Sequence, residues 1–257
     1  MSARREPILN LPNVITTLIL LMGLVHFVRS KLVSEELDLE FLATFAFIPV
    51  RYLLPAAEDP FPGGTAAEIA DFVTYAFIHG DWTHFLVNAV WLAAFGSAVA
   101  WRFGALRFLA FSAITAAAAA GIHMLTHWGE AVPLVGASGA ISGHMAAAVR
   151  FVFVERGPLG AIRGQGPARF RRPAISLARA FLDRRALAMI VAFFVVNFLF
   201  GSISLPMMGE DQVMAWEAHL GGFVAGLVLF RFFRPGRHGR AAGRRRWRGR
   251  GRLAAAL

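Results

Sequence analysis

Six apolar runs divide this chain, at roughly 12–29, 81–99, 107–126, 137–154, 186–205 and 217–233. A helix needs about 20 apolar residues to cross the hydrocarbon core of a bilayer. Within that core every backbone N–H and C=O must find its partner inside the protein, which leaves helices or a closed barrel. Runs of this length and continuity select helices, so the expected fold is an all-α membrane protein built on a six-helix bundle. The charge content agrees. Only 16% of residues are charged, where a soluble domain carries about a quarter.

The ionisable residues are sorted along the chain. Arg4 and Arg5 precede the first run, residues 155–185 hold eight Arg, and residues 234–257 hold nine Arg and no acid. Residues 30–71 instead hold eight acids against Lys31 and Arg51. Basic loops stay on the cytoplasmic side of an inner membrane. Six spans put every basic segment on that side and translocate the acidic loop, so both termini are expected in the cytoplasm. Residues 41–54 are too short for a span and contain Pro49 and Arg51, so they are expected to form an interfacial or re-entrant element. The domain reading is a cytoplasmic segment 1–11, a six-helix unit 12–233 and a disordered Arg-rich tail 234–257.

Polar residues at membrane depth are costly and mark function. In the topology above, spans two, four and six all run from outside to inside. His84, Ser138 and His219 each fall near the start of one of them, which gives three sequence-distant polar residues a common depth. Serine and histidine together can make and activate an oxygen nucleophile. His219, Gly222 and Gly226 share one helical face, and Gly139 and Gly143 form a small-xxx-small pair beside Ser138. Such faces let membrane helices approach closely and would bring Ser138 and His219 within hydrogen-bond reach. His84 and Asn88 share a face one turn apart, as two donors to a developing oxyanion would.

These residues together resemble the rhomboid family of intramembrane serine proteases. The resemblance rests on HGxxxHxxxN (His79-Gly80 through His84 to Asn88), GASG (Gly136 to Gly139) and AHxxGxxxG (Ala218 to Gly226). Order and spacing agree from residue 72 to 230. The resemblance implies a Ser138–His219 dyad without a third acidic member. It also implies an oxyanion site made by the side chains of His84 and Asn88 with the Ser138 backbone N–H, and transmembrane proteins as substrates. Two positions depart from the family pattern. Arg102 in Ala100-Trp101-Arg102 lacks the glutamate that often lies one residue short of it, and Ser142 stands where an aromatic residue often packs on the catalytic histidine.

The expected activity needs no cofactor and no metal. The chain has no cysteine, and His123 and His127, an i, i+4 pair, have only Glu130 as a carboxylate nearby in sequence. His144 is read as a packing residue and His26 as a polar residue facing a helix. The tail Arg244–Arg252 is expected to lie on anionic membrane lipid, each arginine contributing about 1 kcal/mol, rather than on nucleic acid. The alternative to a protease is a rhomboid-like pseudoenzyme that binds or escorts membrane clients. A transporter finds no support, since no inverted repeat or intramembrane coupling acid is present.

Overall fold

The computed structural model describes residues 11–54, 61–160, 167–202, 215–233 and 235. The N-terminal ten residues, the tail beyond 235 and the end of the fifth predicted run lie outside them. Nine helices are named here: α1 (Asn13–Lys31), α2 (Glu35–Phe45), α3 (Gly64–Thr74), α4 (Trp82–Phe103), α5 (Ala105–Thr126), α6 (Ser138–Ala148), α7 (Leu177–Leu182), α8 (Arg184–Ser202) and α9 (Trp216–Leu229). Each predicted run holds one helix, namely α1, α4, α5, α6, α8 or α9. Among the described residues, α1, α4 and α5 are long and apolar enough to cross a membrane.

The fourth run differs from expectation. Residues 137–154 read as one span, yet α6 has 11 residues and measures about 16 Å. The apolar character of Val149–Val154 serves burial in irregular structure instead. Arg150 N–H still reaches back to Ala147 C=O at 3.3 Å, but its carbonyl accepts from Ile175 N–H at 2.9 Å, and Val152 C=O accepts from Leu159 N–H at 2.7 Å. Every residue from Gly139 to Ala148 is buried, which explains how a helix hydrophobic on all sides can be short. It packs between α5 and α9, with α4 and α8 closing the ring.

Residues 41–54 do not form a continuous helix. Ser34 caps α2, accepting from Leu37 N–H at 3.4 Å, and Glu35, Glu36 and Asp38 fill its first turn, where acids favour the helix dipole. The helix stops at Phe45, and Pro49 opens a 3₁₀ turn, Pro49–Leu53, because proline cannot donate to a continuing ladder. Phe47 exchanges backbone hydrogen bonds with Leu134 at 3.2 and 2.8 Å. The segment thus leans on the loop that leads into α6. Its buried Arg51 donates to the carbonyls of Ala43 and Pro62 and faces Asp71 at 3.7 Å. Tyr52 donates to Asp71 as well. Burial pushes the Asp71 carboxyl up to about 7, ahead of the opposing effects of Tyr52 and Arg51.

Candidate active site

The glycines fix how close the central helices come. A Cβ on Gly222 would lie 2.0 Å from Gly139 O, and one on Gly226 would lie 2.4 Å from Gly143 O. The backbones of α6 and α9 therefore touch along the faces that carry Ser138 and His219. On its other side α6 meets α5, where Ala119 and Thr115 fill the space a Cβ on Gly139 or Gly143 would need. Gly221 does the same for α9 against Ile122 of α5, a contact the sequence spacing did not single out.

That approach brings two side chains from 81 residues apart into contact. His219 Nε2 and Ser138 Oγ are 2.6 Å apart. The other ring nitrogen, Nδ1, is 2.5 Å from Asn197 Oδ1. Asn197 lies on α8, buried, and its Nδ2 donates to Phe193 O at 2.7 Å. The amide nitrogen is thereby committed to Phe193, so the oxygen is the atom facing His219. An oxygen there accepts, which places the imidazole proton on Nδ1 and leaves the Nε2 lone pair for the Ser138 hydroxyl. Sequence reasoning missed Asn197. An aromatic cover for His219 is absent at position 142, where Ser142 instead donates back to Ser138 O at 2.8 Å.

His84 lies against Gly136, two residues before Ser138. Gly136 has φ +109°, a conformation L side chains avoid, and a Cβ on it would lie 2.6 Å from His84 Nε2. His84 is set at the start of α4, where Asp81 caps the helix by accepting from His84 N–H at 2.8 Å. Its Nδ1 accepts from Gly80 N–H at 3.5 Å, so a neutral ring carries its proton on Nε2, the edge that faces Gly136. Asn88 sits one turn deeper and is buried, but its Nδ2 donates to His84 O at 2.9 Å. One amide proton is spent within the helix, and the second is left for another acceptor. The expected pair of donors is thus built unequally, with His84 directed at the site and Asn88 partly engaged by its own helix. Just past Asn88, α4 widens to a π turn at Leu92–Gly96.

The loop before α4 is held by α1. His26 Nδ1 and Arg29 Nη1 both lie on the carbonyl of His79, at 3.2 and 3.1 Å, and Arg29 pairs with Asp38 at 2.7 Å. His79 is fully buried and packs edge-on to His84 at 5.1 Å between centroids. Burial holds its pKa down to about 3, so it is a neutral packing group. Arg102 manages without a glutamate. It donates to Phe170 O and Arg172 O, both at 2.8 Å, and its guanidinium lies over Phe151 at 4.7 Å and Phe230 at 5.3 Å. His144 is buried against Ser112 Oγ at 2.8 Å, away from Ser138.

The expectation for His123 and His127 needs correction. Their carboxylate neighbour is Glu217, from the first turn of α9, rather than Glu130. One ligand atom from each of the three residues falls within 4.8 Å of the others, the dimensions of a metal-binding cluster. Sequence distance hid it, since Glu217 is 94 residues from His123.

Comparison with curated proteins finds no match. A family model described as the Rhomboid domain matches residues 66–235, a stretch that runs from α3 through α9. That match covers well over half of the chain and contains Ser138, His219, His84 and Asn88. The chain belongs to the rhomboid family.

Proposed function

We propose that this protein is a serine endopeptidase that cleaves transmembrane segments of other proteins within the bilayer. The observation that carries the reading is the 2.6 Å contact between His219 Nε2 and Ser138 Oγ, with His219 Nδ1 held by Asn197. Rhomboid proteins are in general intramembrane serine proteases, and this chain keeps both members of the pair. His219 takes the Ser138 proton as Oγ attacks the scissile carbonyl carbon. The tetrahedral oxyanion meets His84 Nε2–H, the free amide proton of Asn88 and the Ser138 backbone N–H. Ser138 opens α6, and first-turn N–H groups have no intrahelical partner. The protonated His219 then gives its proton to the leaving amine, the C–N bond breaks, and an acyl-enzyme remains on Ser138. Water, deprotonated by His219, hydrolyses the ester.

The same reading takes the chain as a six-span bundle in an inner membrane, with the site opening outward and membrane lipid around it. Substrates are membrane proteins with a cleavable helix. Incubating the purified protein in liposomes with a single-span fluorescent substrate, beside Ser138→Ala, tests the activity. Cleavage by the wild type and none by the variant is the expected result, whereas equal cleavage or none by both would leave a client-binding protein. Single cysteines at Ser34 and Gly166, in a chain without cysteine, test the topology. Only the first should react with an impermeant maleimide in intact cells.

A further inference from the structure

The cluster of His123, His127 and Glu217 poses a proton-counting problem. His123 Nε2 lies 3.1 Å from the carbonyl of Val132, which can only accept, so Nε2 carries a proton. The opposite nitrogen, Nδ1, lies 2.9 Å from Glu217 Oε1. In the neutral ring that nitrogen has a lone pair, and it would face a carboxylate lone pair in a buried site. Either a proton sits between them, on His123 or on the carboxyl, or a metal ion takes its place. His127 decides between the two. Its Nδ1 is 3.7 Å from the same Glu217 oxygen, and the two rings lie 4.4 Å apart between centroids. A proton serves His123 and Glu217 alone and leaves His127 to its contacts with Thr126 Oγ1 and His123 O. A divalent cation serves both.

We propose that His123, His127 and Glu217 form a binding site for a zinc-class divalent metal ion that clamps the end of α5 to the start of α9. A tetrahedral ion with bonds of about 2.1 Å holds its ligand atoms about 3.4 Å apart, and the observed 2.9 and 3.7 Å bracket that spacing. The Val132 carbonyl supplies the outer hydrogen bond that metal-bound histidines use to fix ring and tautomer. The His127 side chain is 28% exposed, which gives the ion a path from water and a place for a water as fourth ligand. His127 Nδ1 also lies 3.1 Å from Thr126 Oγ1 and 3.3 Å from His123 O, and metal binding exchanges these contacts for a bond to the ion. The role is structural. Through Val132 the clamp holds the loop that leads into Ser138, and through Glu217 it holds the turn that carries His219.

The test uses the full-length protein in detergent, purified through a tag without histidine and stripped with EDTA. Zinc is titrated against a chromophoric chelator, cobalt(II) is added separately for its visible spectrum, and thermal unfolding is followed with and without zinc. The expected result is one tightly held zinc per chain, an intense tetrahedral cobalt band, and a melting temperature raised by zinc, as follows when a ligand binds only the folded state. His127→Ala and Glu217→Gln should lose all three, and Ser138→Ala should keep them. His127 is the safer variant because its side chain is partly exposed. No zinc held by the wild type, or equal zinc held by wild type and His127→Ala, would overturn the site and leave a buried His123–Glu217 ion pair. None of these readouts depends on proteolysis.

Discussion

Asn197 Oδ1 accepts the Nδ1 proton of His219 at 2.5 Å, from α8, outside the α6 and α9 pair that carries Ser138 and His219. The amide is itself anchored by its bond to Phe193 O, and α8 is seated on α9 by stacking of Phe193 on Phe223 at 4.7 Å. The histidine is therefore oriented by a hydrogen bond, since Ser142, one turn after the serine, brings no ring to it.

If that bond orients the ring, Asn197→Ala should lower kcat by about 10- to 100-fold, because a misplaced base forfeits alignment at the moment of proton transfer. KM should change little, since Asn197 is buried behind His219. Asn197→Asp keeps an acceptor at the same place and should retain more activity than the alanine variant. A merely structural role predicts the reverse order, since a buried charge destabilises the helix pair more than a small cavity does. Steady-state cleavage of a model substrate by the three proteins separates the two roles.

Asn88 offers a graded test of the oxyanion reading. Its Nδ2 gives one proton to His84 O and has one left. Loss of an oxyanion donor costs about 10²- to 10³-fold in kcat, and a donor shared with its own helix belongs at or below the lower end. Asn88→Ala should therefore reduce kcat by about 10- to 100-fold, and His84→Ala by more, because His84 Nε2 is directed at the residues before Ser138. If Asn88→Ala raised KM and spared kcat, Asn88 would be a substrate contact instead.

The glycine faces predict a rank order of stability. Gly222→Ala would put a methyl 2.0 Å from Gly139 O, and Gly226→Ala 2.4 Å from Gly143 O. In both cases the obstacle is backbone, which cannot swing aside. Overpacking of this kind costs about 1–3 kcal/mol and more when nothing relaxes. Gly222→Ala should be the worse of the two and should also weaken the Ser138–His219 contact, so activity falls with stability. Gly121→Ala on α5 meets nothing within 4 Å, and there alanine should stabilise by about 1 kcal/mol through helix propensity. Unfolding in mixed micelles, followed by circular dichroism, would read all three.

These glycines show why so much of the site was legible in the sequence. A face of small residues states both that two helices touch and which residues lie beside the contact, so Gly139, Gly143, Gly222 and Gly226 carried the pairing of Ser138 with His219. Asn197 had no such companion. It is the one polar side chain in 186–201, a stretch apolar on every side, and such a stretch does not reveal which face turns inward. Glu217 was likewise legible only as a neighbour of His219, because its contact with His123 depends on how α5 and α9 meet. The length of α6 was hidden for a different reason: burial in irregular structure and burial in lipid demand the same apolar residues.

The last prediction concerns the segment that leans on the loop before Ser138. Asp71 is fully buried beside Tyr52 and Arg51, and burial raises its carboxyl from 3.8 to about 7. An acid whose pKa is raised by folding holds more protons in the native state between those values. Its contribution to stability is complete below about pH 4 and is lost as pH rises towards and through about 7, by at most about 1.4 kcal/mol per pH unit. The packing of residues 47–75 should therefore loosen between about pH 4 and pH 7. Asp71→Asn keeps the shape and cannot ionise, so it should flatten the pH dependence and be the more stable protein at the alkaline end. Hydrogen exchange at the Phe47–Leu134 backbone pair would report the change locally, because that pair joins the segment to the loop before Ser138. If exchange there showed the same pH dependence in wild type and Asp71→Asn, after correction for intrinsic rates, Asp71 would be ionised throughout and paired with Arg51 over the whole range.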